Sequence, residues 1–259
     1  MLTFLYSLPD LMIAILFPAV LALVFAAAPI VRAGLFGPVS RAHSSIALAT
    51  LTTTTSFTAL ILAFTLVQAH VNLRSVQQTV AGEAIELNQI DRLLTRYGDP
   101  KVKAIREAVH AYADSIVADE WPQLAVHSSS QHTADLFRMV SQSILAIEPA
   151  SARQNVIYTD LVKITDQLAE SREYRLNETD LALQPIFWQV IAVLILLLVC
   201  FACFVEPRLG RCLSLGGLGA ALAVLIALVF IFDQPFLGHS AITPDPIVKT
   251  LAIMRARTS

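Results

Sequence analysis

Residues 44–97 read SSIALATLTTTTSFTALILAFTLVQAHVNLRSVQQTVAGEAIELNQIDRLLTRY. From Ser44 to Ala69 there is no charged side chain, a run longer than the roughly 20 residues that an α-helix needs to cross about 30 Å of hydrocarbon. In lipid every backbone amide must be paired internally, so such a run is a helix. From Leu73 the pattern changes without a break. Leu73, Val76, Val80, Glu83, Leu87, Ile90, Leu94 and Tyr97 follow at alternating steps of three and four, which places them on one helical face. Gly98, Asp99 and Pro100 then stop the helix. The stretch predicts one helix that leaves a bilayer and continues as a packed element in water.

Three more charge-free runs flank this one: Leu11 to Val31, Leu181 to Val205 and Cys212 to Phe232. Charged residues are only 15% of the chain, where a soluble domain carries about a quarter. Most of them, including 11 of the 18 Lys and Arg, lie between Val71 and Asp180. The fold expected is all-α: an integral membrane protein with four transmembrane helices in two hairpins, and a helical bundle inserted between the second and third spans. The predicted divisions are a first hairpin over 1–70, a water-exposed insert over 71–180, a second hairpin over 181–233 and an irregular C-terminal tail over 234–259. Pro235, Gly238, Pro244 and Pro246 are the reason for expecting irregularity in that tail.

Within the insert, Val102, Ile105, Val109, Tyr112 and Ile116 form a second seam that ends near Trp121-Pro122. Leu136, Val140, Ile144 and Ile147 mark a third helix, and Ile157, Leu161, Ile164 and Leu168 a fourth. Glu83 interrupts the first seam, and a buried carboxylate needs a partner. At about 1.5 Å per residue, Glu83 stands about 20 Å beyond His70, and Arg172 and Arg175 stand about 21 and 17 Å before Ile186. Glu83 is therefore expected to pair with Arg172 or Arg175, fixing helix register. The simpler alternative is a Glu83 on a wet edge of the seam.

Several short signatures in this order resemble the bestrophin-like family of mainly bacterial membrane proteins. They are Glu83-Ala84, then Glu120-Trp121-Pro122, then Arg172 with Arg175 and Leu176, then Pro185-Ile186-Phe187-Trp188, and finally Asp233-Gln234-Pro235-Phe236-Leu237-Gly238. The resemblance spans roughly Leu48 to Ile247. It implies a distant relation to bestrophins, which are pentameric anion channels with an apolar constriction on the second span and a cytosolic insert. It also implies a multi-pass protein of the bacterial inner membrane. The charge pattern gives a different orientation: Arg32, Arg41, Arg208 and Arg211 in the two short loops place those loops in the cytoplasm by the positive-inside rule.

The second span carries the functional candidates. Phe57, Ile61 and Phe64 share one face at steps of four and three, and one such set per subunit forms an apolar ring that gates by dewetting. The seven threonines between Thr50 and Thr65 either line a water-filled path or bond their own backbone carbonyls. Two functions from different classes stay open: an oligomeric ion channel with this span lining the pore, and a membrane-anchored helical sensor or scaffold whose insert binds a ligand or partner. The expected partners are the lipid bilayer, further copies of the chain (a pentamer in the channel reading) and inorganic ions. A near-neutral balance of 18 basic and 20 acidic residues removes the basic footprint that nucleic acid requires. The His and Cys spacings support no metal site, no phosphate loop or nucleophile–base pair is visible, and neither a cofactor nor an enzyme activity is expected. Glu120-Trp121-Pro122 reads as a helix end, with a lipid-facing or subunit-contact anchor as the alternative, and Asp233 as a residue bonding backbone amides in the turn that holds Pro235, Phe236 and Gly238, with a cation site at a pore mouth as the alternative.

Overall fold

The computed structural model describes residues 8–177 and 183–257. Leu181 and Ala182, the expected start of the third span, and the 180/181 division lie outside these residues. The described chain is helical without strands: α1 (Asp10–Phe36), α2 (Arg41–Tyr97), α3 (Val102–Ser115), a π-helical turn (Ile116–Glu120), α4 (Trp121–Leu124), α5 (Gln131–Leu145), α6 (Ala152–Asn177), α7 (Pro185–Cys203), α8 (Leu209–Asp233) and α9 (Asp245–Ala256). Four of them, α1, α2, α7 and α8, are long and apolar enough to cross a membrane.

The chain divides into two compact units. The first comprises Met1–Leu73 and Leu181–Ala241. Its outward surfaces are apolar, as hydrocarbon-facing helices must be: Leu11, Leu23, Phe64, Val193 and Leu213 are all exposed. Its interior is held by close backbone approach. A Cβ built on Gly219 of α8 would lie 2.7 Å from the Leu21 carbonyl oxygen and 2.9 Å from the Phe25 ring, so only glycine lets α1 and α8 pack here. Gly216 repeats the approach one turn earlier, 3.3 Å from the Ala22 carbonyl oxygen. Between lipid-embedded helices this kind of van der Waals fit replaces the hydrophobic drive. Phe25, Leu51, Leu62, Leu198 and Leu222 form the central cluster.

Two sets of contacts fix the connections. Gly37, at φ 79°, takes the left-handed backbone that ends α1, and the Arg32 guanidinium donates to its carbonyl at 2.8 Å. Arg32 also stacks 5.4 Å from the Phe204 ring, while the Glu206 amide donates to the Ser44 hydroxyl at 3.0 Å. A second set joins His70 to Phe232 by ring contact at 5.8 Å, and the Leu183 amide to Asp233 at 2.7 Å.

The second unit comprises Arg74–Asp180 and Ile242–Ser259. The seam residues Val76, Val80, Glu83, Leu87, Ile90, Leu94 and Tyr97 are all buried. Val109, Tyr112 and Ile116 in the chain's next helical stretch, Val140 and Ile144 in α5, and Leu161 and Leu168 in α6 are buried too. Helix α9 corrects the expected irregular tail over 234–259. Pro246 stands in the first turn of α9, where the missing amide has no helical partner to lose and the fixed φ favours initiation. Ile247, Leu251 and Met254 then recur at steps of four and three and are buried. Among the described residues before α9, Gln234 to Pro244 remain without helix.

Candidate functional site

In the first unit, Phe57 and Phe64 of α2 are 61% and 67% exposed, with Ile61 partly buried beside them. Thr58, Leu62 and Thr65 point into the packing instead, each 0–1% exposed. Phe57 and Phe64 thus lie with the partly exposed Ile61 on one outward strip of α2. The hydroxyls turn back on their own helix. Thr50, Thr52, Thr53, Ser56, Thr58 and Thr65 each donate to the carbonyl four residues earlier, at 2.8–3.2 Å. This satisfies an otherwise exposed polar group in an apolar surrounding.

Asp233 sits at the C-terminal end of α8, nearly buried, and accepts the Leu183 amide fifty residues away in sequence. It thereby ties the residue just before α7 to the end of α8. Pro235 is buried next to it, Phe236 is half-buried, and Gly238 turns the chain at φ 90°.

The second unit holds a buried charge network. Arg175 of α6 is wholly enclosed. Its Nε donates to Glu83 Oε2 at 2.6 Å and its Nη2 to Glu83 Oε1 at 3.1 Å. The same Nη2 donates to Glu120 Oε2 at 2.7 Å, and Arg172 Nη2 donates to Glu120 Oε1 at 2.6 Å. Glu83 therefore pairs with Arg175, while Arg172 is taken by Glu120. Two carboxylates and two guanidiniums leave the cluster neutral. Trp121 lies 5.9 Å from the Arg175 guanidinium and Phe137 lies 6.0 Å from that of Arg172, so aromatic faces cover both cations. The Tyr112 hydroxyl donates to Glu83 at 3.4 Å.

Burial alone would lower the Arg175 pKa, but the charge and hydrogen bonds of Glu83, with Glu120 beyond, raise it above its ordinary value. Burial beside Glu83 pushes the Tyr112 phenol well upward. Both groups are held in one protonation state, which is the behaviour of a structural lock rather than of a proton carrier.

Glu120 reaches this network because of the residue two places after it. Pro122 has no amide to donate to residue 118, and its ring crowds that carbonyl. The helix widens into a π turn in which the Trp121 amide bonds the Ile116 carbonyl. Glu120, within that turn, is fully buried. Read only as a helix end, Glu120-Trp121-Pro122 conceals this partner; the signal was an acidic residue fixed between an apolar seam and a Trp-Pro step.

A second network centres on Asp91. Asp91, also fully buried, accepts from Arg106 Nε at 2.5 Å, lies 2.9 Å from His110 Nε2 and pairs with Arg257 just past α9. Arg257 also donates to Asn88 at 2.7 Å, and Arg106 to the Met254 carbonyl at 3.3 Å. Arg255 pairs with Asp114. Burial pushes the Asp91 pKa up, yet the bonds from Arg106 and His110 outweigh it and hold the carboxyl below its ordinary value. Asp91 follows the seam residue Ile90 and so reads in sequence as a solvated flank. Among the described residues no group of three His, Cys, Asp or Glu side chains gathers as metal ligands would.

A family model described as the Bestrophin-like domain matches residues 18–247 of this chain. No curated protein matches it, and no solved structure does.

Proposed function

The chain belongs to the bestrophin-like family, and from that premise we propose that it forms an oligomeric ion channel in the cell membrane, with α2 facing a shared pore. The spans make two antiparallel hairpins. The contacts of Arg32 with Phe204 and of Ser44 with Glu206 support a common end for both short loops, and those of His70 with Phe232 and of Leu183 with Asp233 support a common opposite end. The insert lies between the second and third spans as a helical bundle. Four spans are too few to enclose a path of their own, so conduction needs a ring of subunits.

The observation that carries the reading is the outward strip of Phe57, Ile61 and Phe64 on the second span, the span proposed here to line the pore. Apolar rings of this kind exclude water when narrow and admit it when widened or made smaller. Six of the α2 hydroxyls are bonded to their own backbone, which supports a gate rather than a polar wall as the element that sets conduction. The insert carries no excess of positive charge, which separates its selectivity from that of an anion vestibule.

Liposomes loaded with a halide-sensitive or cation-sensitive dye test this. Ile61→Ala and Phe64→Ala should raise ion flux above that of the unaltered protein. Zero flux in all variants, with the protein inserted and oligomeric, would refute conduction and leave the sensor reading.

A further inference from the structure

Leu48 and Leu51 of α2 face Leu215 and Leu218 of α8 across an open groove of about 510 Å³, and Arg211 stands at its α8 N-terminal end. From Leu48 to Ser56 the groove runs about 12 Å, close to the depth of one leaflet of a hydrocarbon core about 30 Å thick. The wall is mainly aliphatic: Thr52, Ser56 and Ser214 keep their hydroxyls on the helix backbone, and the Thr55 hydroxyl is buried in it with no hydrogen-bond partner among the described residues. At the mouth, Arg211 donates to Glu206 at 2.8 Å and to Ser44 at 3.4 Å, and Arg208 donates to Glu206 at 2.9 Å. Both guanidiniums remain partly open, at 38% and 57% exposure. One carboxylate therefore serves two arginines, and each guanidinium has five N–H donors. A positive mouth above an apolar channel of leaflet depth is complementary to a molecule with a negative head and a hydrocarbon tail.

We propose that this groove holds one acyl chain of an anionic phospholipid, with its phosphate against Arg211 and Arg208. The site rests on the membrane crossing of α2 and α8 and is independent of conduction. Glu206 then acts as a positioning residue, keeping both arginines at the mouth while leaving a net positive charge for the phosphate.

Native mass spectrometry of the detergent-solubilised chain, titrated with palmitoyl-oleoyl phosphatidylglycerol or phosphatidylcholine, tests this. The unaltered protein should retain phosphatidylglycerol about tenfold more tightly, the order expected of one or two arginines near a phosphate. Arg211→Gln should abolish that preference and leave phosphatidylcholine retention unchanged. Ser214→Trp, which fills the groove, should weaken both lipids. If Arg211→Gln gives no monodisperse peak, Arg208→Gln reads the head and Ser214→Trp the tail. Millimolar inorganic phosphate should leave phosphatidylglycerol bound; complete displacement would make this a free-anion site and overturn the proposal. Equal retention of the two lipids, an undiminished preference in the arginine variants, or adducts present on monomers and absent from oligomers would overturn it too, the last giving the groove to a second copy of the chain.

Discussion

Arg175→Met removes the guanidinium on which both buried carboxylates of the second unit converge. Arg172 still holds Glu120, so the loss falls on Glu83, which is 0% exposed and among the described residues keeps only the 3.4 Å bond from Tyr112. Removing one partner of a buried ion pair leaves an uncompensated charge, with a penalty of about 3–5 kcal/mol. The penalty belongs to the orphaned carboxylate, which gives the argument its sign: adding Glu83→Gln to Arg175→Met should recover stability, by about 2 kcal/mol, because the stranded charge is gone. Denaturant unfolding in detergent can follow Trp121, whose ring lies 5.9 Å from Arg175, in a Trp188→Phe background that removes the other tryptophan. Simple addition of the two single-variant losses would refute the network as drawn. So would a loss under about 1 kcal/mol for Arg175→Met, the range of a solvated surface pair.

Gly219→Val should separate α1 from α8, because its Cβ would meet the Leu21 carbonyl at 2.7 Å; a loss of about 1–3 kcal/mol in the same unfolding experiment is expected, with Gly217→Val, which meets nothing within 4 Å, as the tolerated control. Asp91→Asn should loosen α9 from the second unit and raise amide exchange across Asp245–Ala256, while exchange in α5 stays unchanged. The Asp91 pKa is depressed in the folded chain, so its contribution is present above the unfolded value of about 3.9 and disappears as pH falls through the lower folded value. Exchange in α9 should accordingly be flat from neutral to mildly acidic pH and rise only in strong acid; a rise near pH 6 would contradict this.

The spans and the insert's seams were legible because each depends on a local rule. Hydrocarbon excludes charge, and a packed helix repeats its apolar residues every three or four positions, so Val76 to Tyr97 could be read without any knowledge of what covers them. Glu83 was conspicuous because it broke such a repeat. Its partner was legible only as a choice between Arg172 and Arg175, since a helix turn separates them by less than heights counted along the chain can resolve. Glu120 and Asp91 were hidden for a different reason. Glu120 is turned inward by a π turn that follows from Pro122, and helical periodicity assumes 3.6 residues per turn throughout. Asp91 pairs with Arg106 and His110 on the next helix and with Arg257, 166 residues away in sequence, and no local pattern reports contacts between separate helices. The proline that begins α9 has the same residue type as those that interrupt the preceding segment, and position within the helix, not identity, decides which role it takes.

Particle images of the protein in lipid nanodiscs test the central claim most directly. Subunits arranged in a closed ring, with α2 lining an axial path narrowed at Phe57, Ile61 and Phe64, are the predicted result. A monomer or dimer with no axial path, or a ring in which those three side chains face lipid, would contradict it.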